Sequence, residues 1–73
     1  MKSINDIAND WYGRLEDLEE ELNENGFDVL EANREYVDVS GGEDEDGNDI
    51  QYILYLGGTE TTIVIKEIKT VTI

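Results

Sequence analysis

The hydrophobic period of this chain changes at Asn25-Gly26, and that change constrains the fold more than any other feature. Before it, Ile4, Ala8, Trp11, Leu15, Leu18 and Leu22 recur at steps of four and three, with Ile7 widening the stripe. This is one continuous apolar face at helical spacing, the pattern of a helix that covers a core. Ser3 followed by Asp6 fits an N-cap with an acid at the third helical position. Asn25-Gly26 supplies a C-terminal stop. The spacing therefore predicts a helix over about residues 4–24, with Gly13 inside it costing ~1 kcal/mol relative to Ala.

After Gly26 the period becomes two. Phe27 and Val29 alternate with Asp28, and Tyr36-Val37-Asp38-Val39 reads as strand. The parity shifts between the ends of 27–40, so this stretch is either one bent strand or a hairpin turning near Asn33. Ile50 to Leu56 is the strongest strand, rich in residues that fit a pleated surface. Gly57-Gly58 has the chemistry of a hairpin turn. Ile63 to Ile65 and Ile68 to Ile73 complete the chain, with or without a bulge. The expected fold is α+β in a single domain spanning 1–73: one N-terminal helix packed on an antiparallel meander of three to four strands, at about 27–40, 50–57 and 61–73. Tyr52 and Tyr55 have opposite parity, so at least one leaves the helix-covered face.

Charge is distributed as unevenly as hydrophobicity. Residues 1–49 hold seventeen acids and three bases, which accounts for the whole formal net charge of −14. Residues 50–73 set Glu60 and Glu67 against Lys66 and Lys69. With no Cys there is no disulfide, thiolate nucleophile or Cys-ligated metal, and with no His the usual proton shuttle is missing. Direct binding to nucleic acid is disfavoured, because such affinity comes from cations that neutralise phosphates. No run of apolar residues is long enough for a membrane span, and the expectation is a soluble protein.

The acids concentrate in two foci. Glu16, Asp17, Glu19, Glu20, Glu21 and Glu24 make six carboxylates in nine residues, and only Asp10 and Arg14 form a well-oriented intrahelical pair. On a single helix over 4–24 this cluster falls at the negative end of the macrodipole, where anions are disfavoured. Glu16, Glu20 and Glu24 also repel one another along one i,i+4 row. Nine helical residues span ~14 Å, or one charge per ~2.3 Å, against one per ~1.7 Å in duplex DNA. Asp28, Glu31, Glu35 and Asp38 carry the charge onto the first strands, and Glu43, Asp44, Glu45, Asp46 and Asp49 form the second focus. The second focus is not an EF-hand, since its twelfth position is Ile53, where a carboxylate is required. Weak Ca²⁺ or Mg²⁺ binding there competes with a solvated hairpin loop, and the expectation is no metal and no cofactor. Catalysis has little support. No carboxyl sits in a recognisable apolar pocket, and neither Ser3 nor Ser40 has a base nearby in sequence.

On its length, the Glu16–Glu24 and Glu43–Asp49 clusters and its helix-plus-meander plan, the chain resembles a class: the small acidic nucleic-acid-mimic inhibitors of phages and mobile elements. Anti-CRISPR, anti-restriction and uracil-DNA glycosylase inhibitor proteins belong to it. The resemblance implies a non-enzymatic inhibitor in the bacterial host cytoplasm whose acidic front occupies the cationic groove of a nucleic-acid-binding protein, foremost an RNA-guided nuclease effector. The resemblance rests on no specific motif and assigns no residue; the candidate partner-binding residues, read from the charge pattern, are those of the two foci together with Asp28 and Glu31. Two rivals share the charge: an immunity protein or antitoxin that neutralises a basic nuclease toxin, and a surface made acidic for solubility in salt.

Overall fold

The computed structural model of the protein describes residues 1–9 and 11–72. Among these residues the fold is α+β, with two helices and one antiparallel sheet. In chain order the elements are α1 (Ile4–Ala8), β1 (Tyr12–Gly13), α2 (Leu15–Glu24), β2 (Asp28–Ala32), β3 (Tyr36–Glu43), β4 (Asp49–Gly58) and β5 (Ile63–Thr72). The strands lie in the order β1-β5-β4-β3-β2. All neighbours are antiparallel.

The expected helix over 4–24 is two helices. Ser3 caps α1 as expected, its hydroxyl accepting from the Asp6 N–H at 3.2 Å. The helix then ends at Ala8, and Tyr12 and Gly13 pair with Val64 and Ile63 at the edge of the sheet. Gly13 has φ +152°, outside helical space and rarely adopted by residues with a side chain. The break leaves the apolar stripe intact. Ile4, Ile7, Leu18 and Leu22 are buried, and Ala8, Trp11 and Leu15 are half-buried. The Asp10–Arg14 pair has Asp10 outside the described residues, and Arg14 is the N-cap of α2, where it approaches Glu16 at 3.7 Å.

The 27–40 stretch is a hairpin. Asn33 organises its turn, with Oδ1 accepting from the N–H groups of Glu35 and Tyr36 at 2.8 and 2.9 Å. Leu30 is the extra residue at a bulge between Val29 and Glu31, which accounts for the parity shift in the sequence. The turn expected at Gly57-Gly58 lies immediately after them, at Thr59–Thr62. There the Thr59 N–H donates to the Thr62 carbonyl at 2.8 Å, and the Thr62 N–H donates to the Thr59 hydroxyl at 3.1 Å. Gly57 and Gly58 instead pair with Val64 and Ile63 within the sheet. The Thr59 hydroxyl thus ties the turn, while the missing Cβ at Gly57 lets the Lys66 side chain cross the strand. The expected closing strand is β5, with a bulge at Lys66 between the pairs Tyr55–Glu67 and Leu56–Ile65. Ile73 lies outside the described residues.

Leu18, Leu22, Val37, Val39 and Leu54 are fully buried between the helices and one sheet face, with Ile4, Ile7, Leu56 and Ile63 around them. Phe27 and Tyr52 close one end of this core edge to face, 6.1 Å between centroids at 81°. Tyr52 therefore lies on the covered face. The register puts Tyr36, Asp38 and Ser40 opposite Tyr55, Ile53 and Gln51 on the other face, where Tyr55 is 37% exposed. Among the described residues no helix is long and apolar enough to cross a membrane.

Candidate protein-binding surface

The molecule measures 39 × 21 × 18 Å, and its long axis follows the strands, which at ten residues span ~33 Å. It therefore has two ends. At one end the start of α2 meets the β2–β3 and β4–β5 turns. Arg14, Leu15, Glu16, Glu19, Arg34, Glu60, Thr61 and Ile63 line a shared cleft there. Both arginines of the chain stand at this end, so its carboxylates have cations beside them.

At the opposite end the last turn of α2 runs through Asn25 and Gly26 into Asp28, which pairs with Ser40. The β3–β4 hairpin extends beyond that point, with Glu43 paired to Asp49, to a tip at residues 44–48. The topology so brings the two acidic foci to one end: Glu20, Glu21 and Glu24 of α2, then Asp28, then Glu43, Glu45, Asp46 and Asp49. Glu16 and Glu19 instead line the cleft at the arginine end; Glu16 stands ~12 Å from Glu24 along α2, whereas Glu19 adjoins Glu20 at mid-helix. Asp17, in the first turn, also belongs nearer the arginine end.

The split of the predicted helix changes the energetics of this cluster. Glu16 and Asp17 lie in the first turn of α2 rather than near the end of a long helix. Anions are favoured there by the macrodipole, so these two are well placed for stability. Glu20 and Glu24 remain toward the negative end, and no base stands in the last turn. The end of α2 is instead closed by Asn25, whose Nδ2 donates to the Glu21 carbonyl at 2.9 Å. Lys2 reaches the same turn, its Nζ 3.3 Å from Glu21 Oε1 and its backbone N–H donating to Asn25 Oδ1 at 2.8 Å.

The candidate carboxylates are not equivalent. Glu21 is half-buried and held by Lys2 and Asn25. Asp44 serves its own loop, because its Oδ1 accepts from the N–H groups of Asp46 and Asn48, each at 2.9 Å. Of the thirteen candidates, only Glu16 and Glu21 have a Lys or Arg within ion-pair distance, among the described residues. Glu20, Glu24, Asp28, Glu43, Glu45, Asp46 and Asp49 are exposed and project into solvent.

Glu31 lies apart from both foci, on the uncovered face of the sheet. It stands directly opposite Asp38, and like charges in that position destabilise a strand pair. Glu31 also lies beside the Tyr36 hydroxyl, accepting its hydrogen bond and opposing formation of a phenolate. With burial and Asp38 adding to this, the Tyr36 pKa is raised above the usual tyrosine value of 10.0. Asp38 Oδ1 is buried without a hydrogen-bond partner among the described residues. Its position was visible in the sequence as an acid within an apolar strand, whereas its opposition to Glu31 depends on the bulge at Leu30. Among the described residues no three carboxylates come together in an arrangement that could hold a metal ion. Comparison with known protein families, with characterised proteins and with solved structures finds nothing that matches this chain.

Proposed function

We propose that this protein is a non-enzymatic inhibitor that blocks a nucleic-acid-binding defence enzyme of bacteria by presenting a surface that imitates the phosphate charge of DNA or RNA. The target we infer is a basic protein of the anti-defence setting, foremost the guide- or DNA-binding groove of an RNA-guided nuclease. The observation that supports this reading is the convergence of unpaired carboxylates at one end of an elongated molecule. Glu20, Glu24, Asp28, Glu43, Glu45, Asp46 and Asp49 lie there in the open, while both arginines stand at the other end. A surface acidic only for solubility gains nothing from such segregation. A cationic groove gains an oriented field that speeds association and fixes which end enters.

The cost in stability points the same way. Glu20 and Glu24 occupy the half of α2 where the macrodipole disfavours them, and an external cation would offset that cost. An immunity protein facing a basic toxin nuclease would use the same end by the same physics. The two readings differ in the partner and not in the surface.

The test is capture from a host lysate on the immobilised protein, followed by competition. The reading predicts a captured protein that binds DNA or guide RNA, and release of that protein by the nucleic acid it normally holds. Capture that the cognate nucleic acid fails to displace would rule out mimicry. Capture of a toxin nuclease in place of a defence enzyme would select the immunity reading.

A further inference from the structure

Each edge strand of the sheet faces water, but the two edges differ. β2 is five residues long, bulged at Leu30 and charged at Asp28 and Glu31, which are devices that discourage another strand from adding. β5 also carries a bulge at Lys66 and charges at Lys66, Glu67 and Lys69, but its uncovered stretch is longer and its charges are of both signs. Among the described residues, β1 covers only Ile63 and Val64, so the edge from Ile65 to Thr72 has no neighbouring strand. This segment carries two lysines and one glutamate in a chain of net charge −14. It also lies three strands from β2, or ~14 Å from the acidic edge.

The direction of its backbone groups follows from the ladder. The Leu56 N–H donates toward β3, to the Glu35 carbonyl at 2.9 Å. By alternation Tyr55, Ile53 and Gln51 face β5, and they pair with Glu67, Lys69 and Val71. Ile68, Thr70 and Thr72 therefore turn their N–H and C=O groups outward. A groove runs between α1 and this edge, with Ala8, Ile65 and Ile68 among its lining residues.

We infer that a second copy of this chain adds to the β5 edge, giving an antiparallel β5–β5 dimer with its two-fold axis at Ile68. The charge pattern selects that register. Centred on Ile68, each Glu67 stands opposite the partner's Lys69, which makes two opposite-charge pairs per dimer. Centres on Glu67 or Lys69 would put like charges opposite each other, and a centre on Thr70 makes no charge pair and a shorter overlap. In the Ile68 register the two outward-facing Ile68 backbones exchange both hydrogen bonds, and the paired Ile68 side chains lie on the groove side of the sheet. The acidic ends stay clear of the interface, so the inference is independent of what binds them.

Sedimentation equilibrium of the full chain at physiological ionic strength tests it. The wild type self-associates as concentration rises from micromolar to millimolar. Glu67→Lys and Lys69→Glu each weaken dimerisation at least ~tenfold, because each replaces two opposite-charge pairs by two like-charge ones. Glu67→Lys does so although it lowers the net charge of the molecule, so general repulsion predicts the opposite change. An equimolar mixture of the two variants regains the dimer as a heterodimer. Both side chains are exposed, and circular dichroism confirms that each variant is folded before it is measured. A wild type that stays monomeric at millimolar concentration would overturn the inference. So would variants that dimerise like the parent, or a mixture that remains monomeric.

Discussion

The two ends of α2 carry the same kind of residue with opposite consequences. At its start, Glu16 and Asp17 lie in the first turn, where the dipole favours them, and Arg14 and Arg34 stand nearby. At its finish, Glu20 and Glu24 meet the negative end of the dipole without a base in the last turn. The lesson is that net charge is a poor guide to which acids have a job. The acids at the first end stabilise the fold. Those at the second weaken it, and they are the ones that join Asp28 and the β3–β4 tip.

That comparison presupposes that both ends belong to one cooperative structure. The largest expected effect tests this. Leu54, fully buried on the central strand, touches the core shared by both ends. Leu54→Ala should cost ~2–5 kcal/mol, read by urea unfolding, with helix and sheet signals melting together. Separate transitions would divide the molecule into independent parts.

A smaller loss is expected at the acidic end. A Cβ at Gly41 would overlap the Tyr52 ring, which cannot retreat easily because Phe27 packs against it. Gly41→Ala should destabilise by ~1–3 kcal/mol through overpacking. An unchanged midpoint would mean that this end of the core is loose and its carboxylates are not held in a fixed pattern.

The direct comparison of the ends of α2 comes next in size. Glu24→Gln should raise stability and Glu16→Gln should lower it, each by ~0.3–1 kcal/mol at low salt, with both effects fading as salt is added. Shifts of the same sign would mean that bulk repulsion, and not position on the helix, governs these residues.

The smallest effect concerns pH. Because Glu31 raises the Tyr36 pKa above 10.0 in the folded protein, the native state holds that proton more tightly than the unfolded chain does. The associated stability is present below pH 10 and is lost as pH rises through the folded value. Tyr36→Phe should therefore flatten the alkaline decline. A decline of unchanged slope would remove Glu31 from the neighbourhood of the Tyr36 hydroxyl.

The sequence made the core legible because spacing records sidedness even where secondary structure is misjudged. Ile4, Ile7, Leu18 and Leu22 face the sheet whether they belong to one helix or to the separate α1 and α2. The break itself was hidden. A single Gly13 is tolerable within a helix, and the pairing of Tyr12 and Gly13 with β5 is a tertiary contact with no local signature. That one error reversed the sign of the dipole argument for Glu16 and Asp17. Likewise, Gly57-Gly58 resembles a turn because glycine serves turns and close approaches alike, and only the path of Lys66 separates the two. The convergence of the two acidic foci could not be read from their separation in sequence, since it depends on α2 running toward the end from which the β3–β4 hairpin extends.

The central claim is that the acidic end of the molecule, and not its charge as a whole, meets the partner. Affinity for the captured partner, measured over a range of salt concentrations, tests it through two variants matched in charge. With Glu20, Glu24 and Asp28 neutralised to Gln and Asn, the account predicts at least ~tenfold weaker binding and a shallower salt dependence, since three exposed charges leave the interface. With Glu16, Asp17 and Glu19 neutralised instead, affinity should stay within about twofold of the parent. Equal losses in the two variants, or the larger loss at the arginine end, would contradict it.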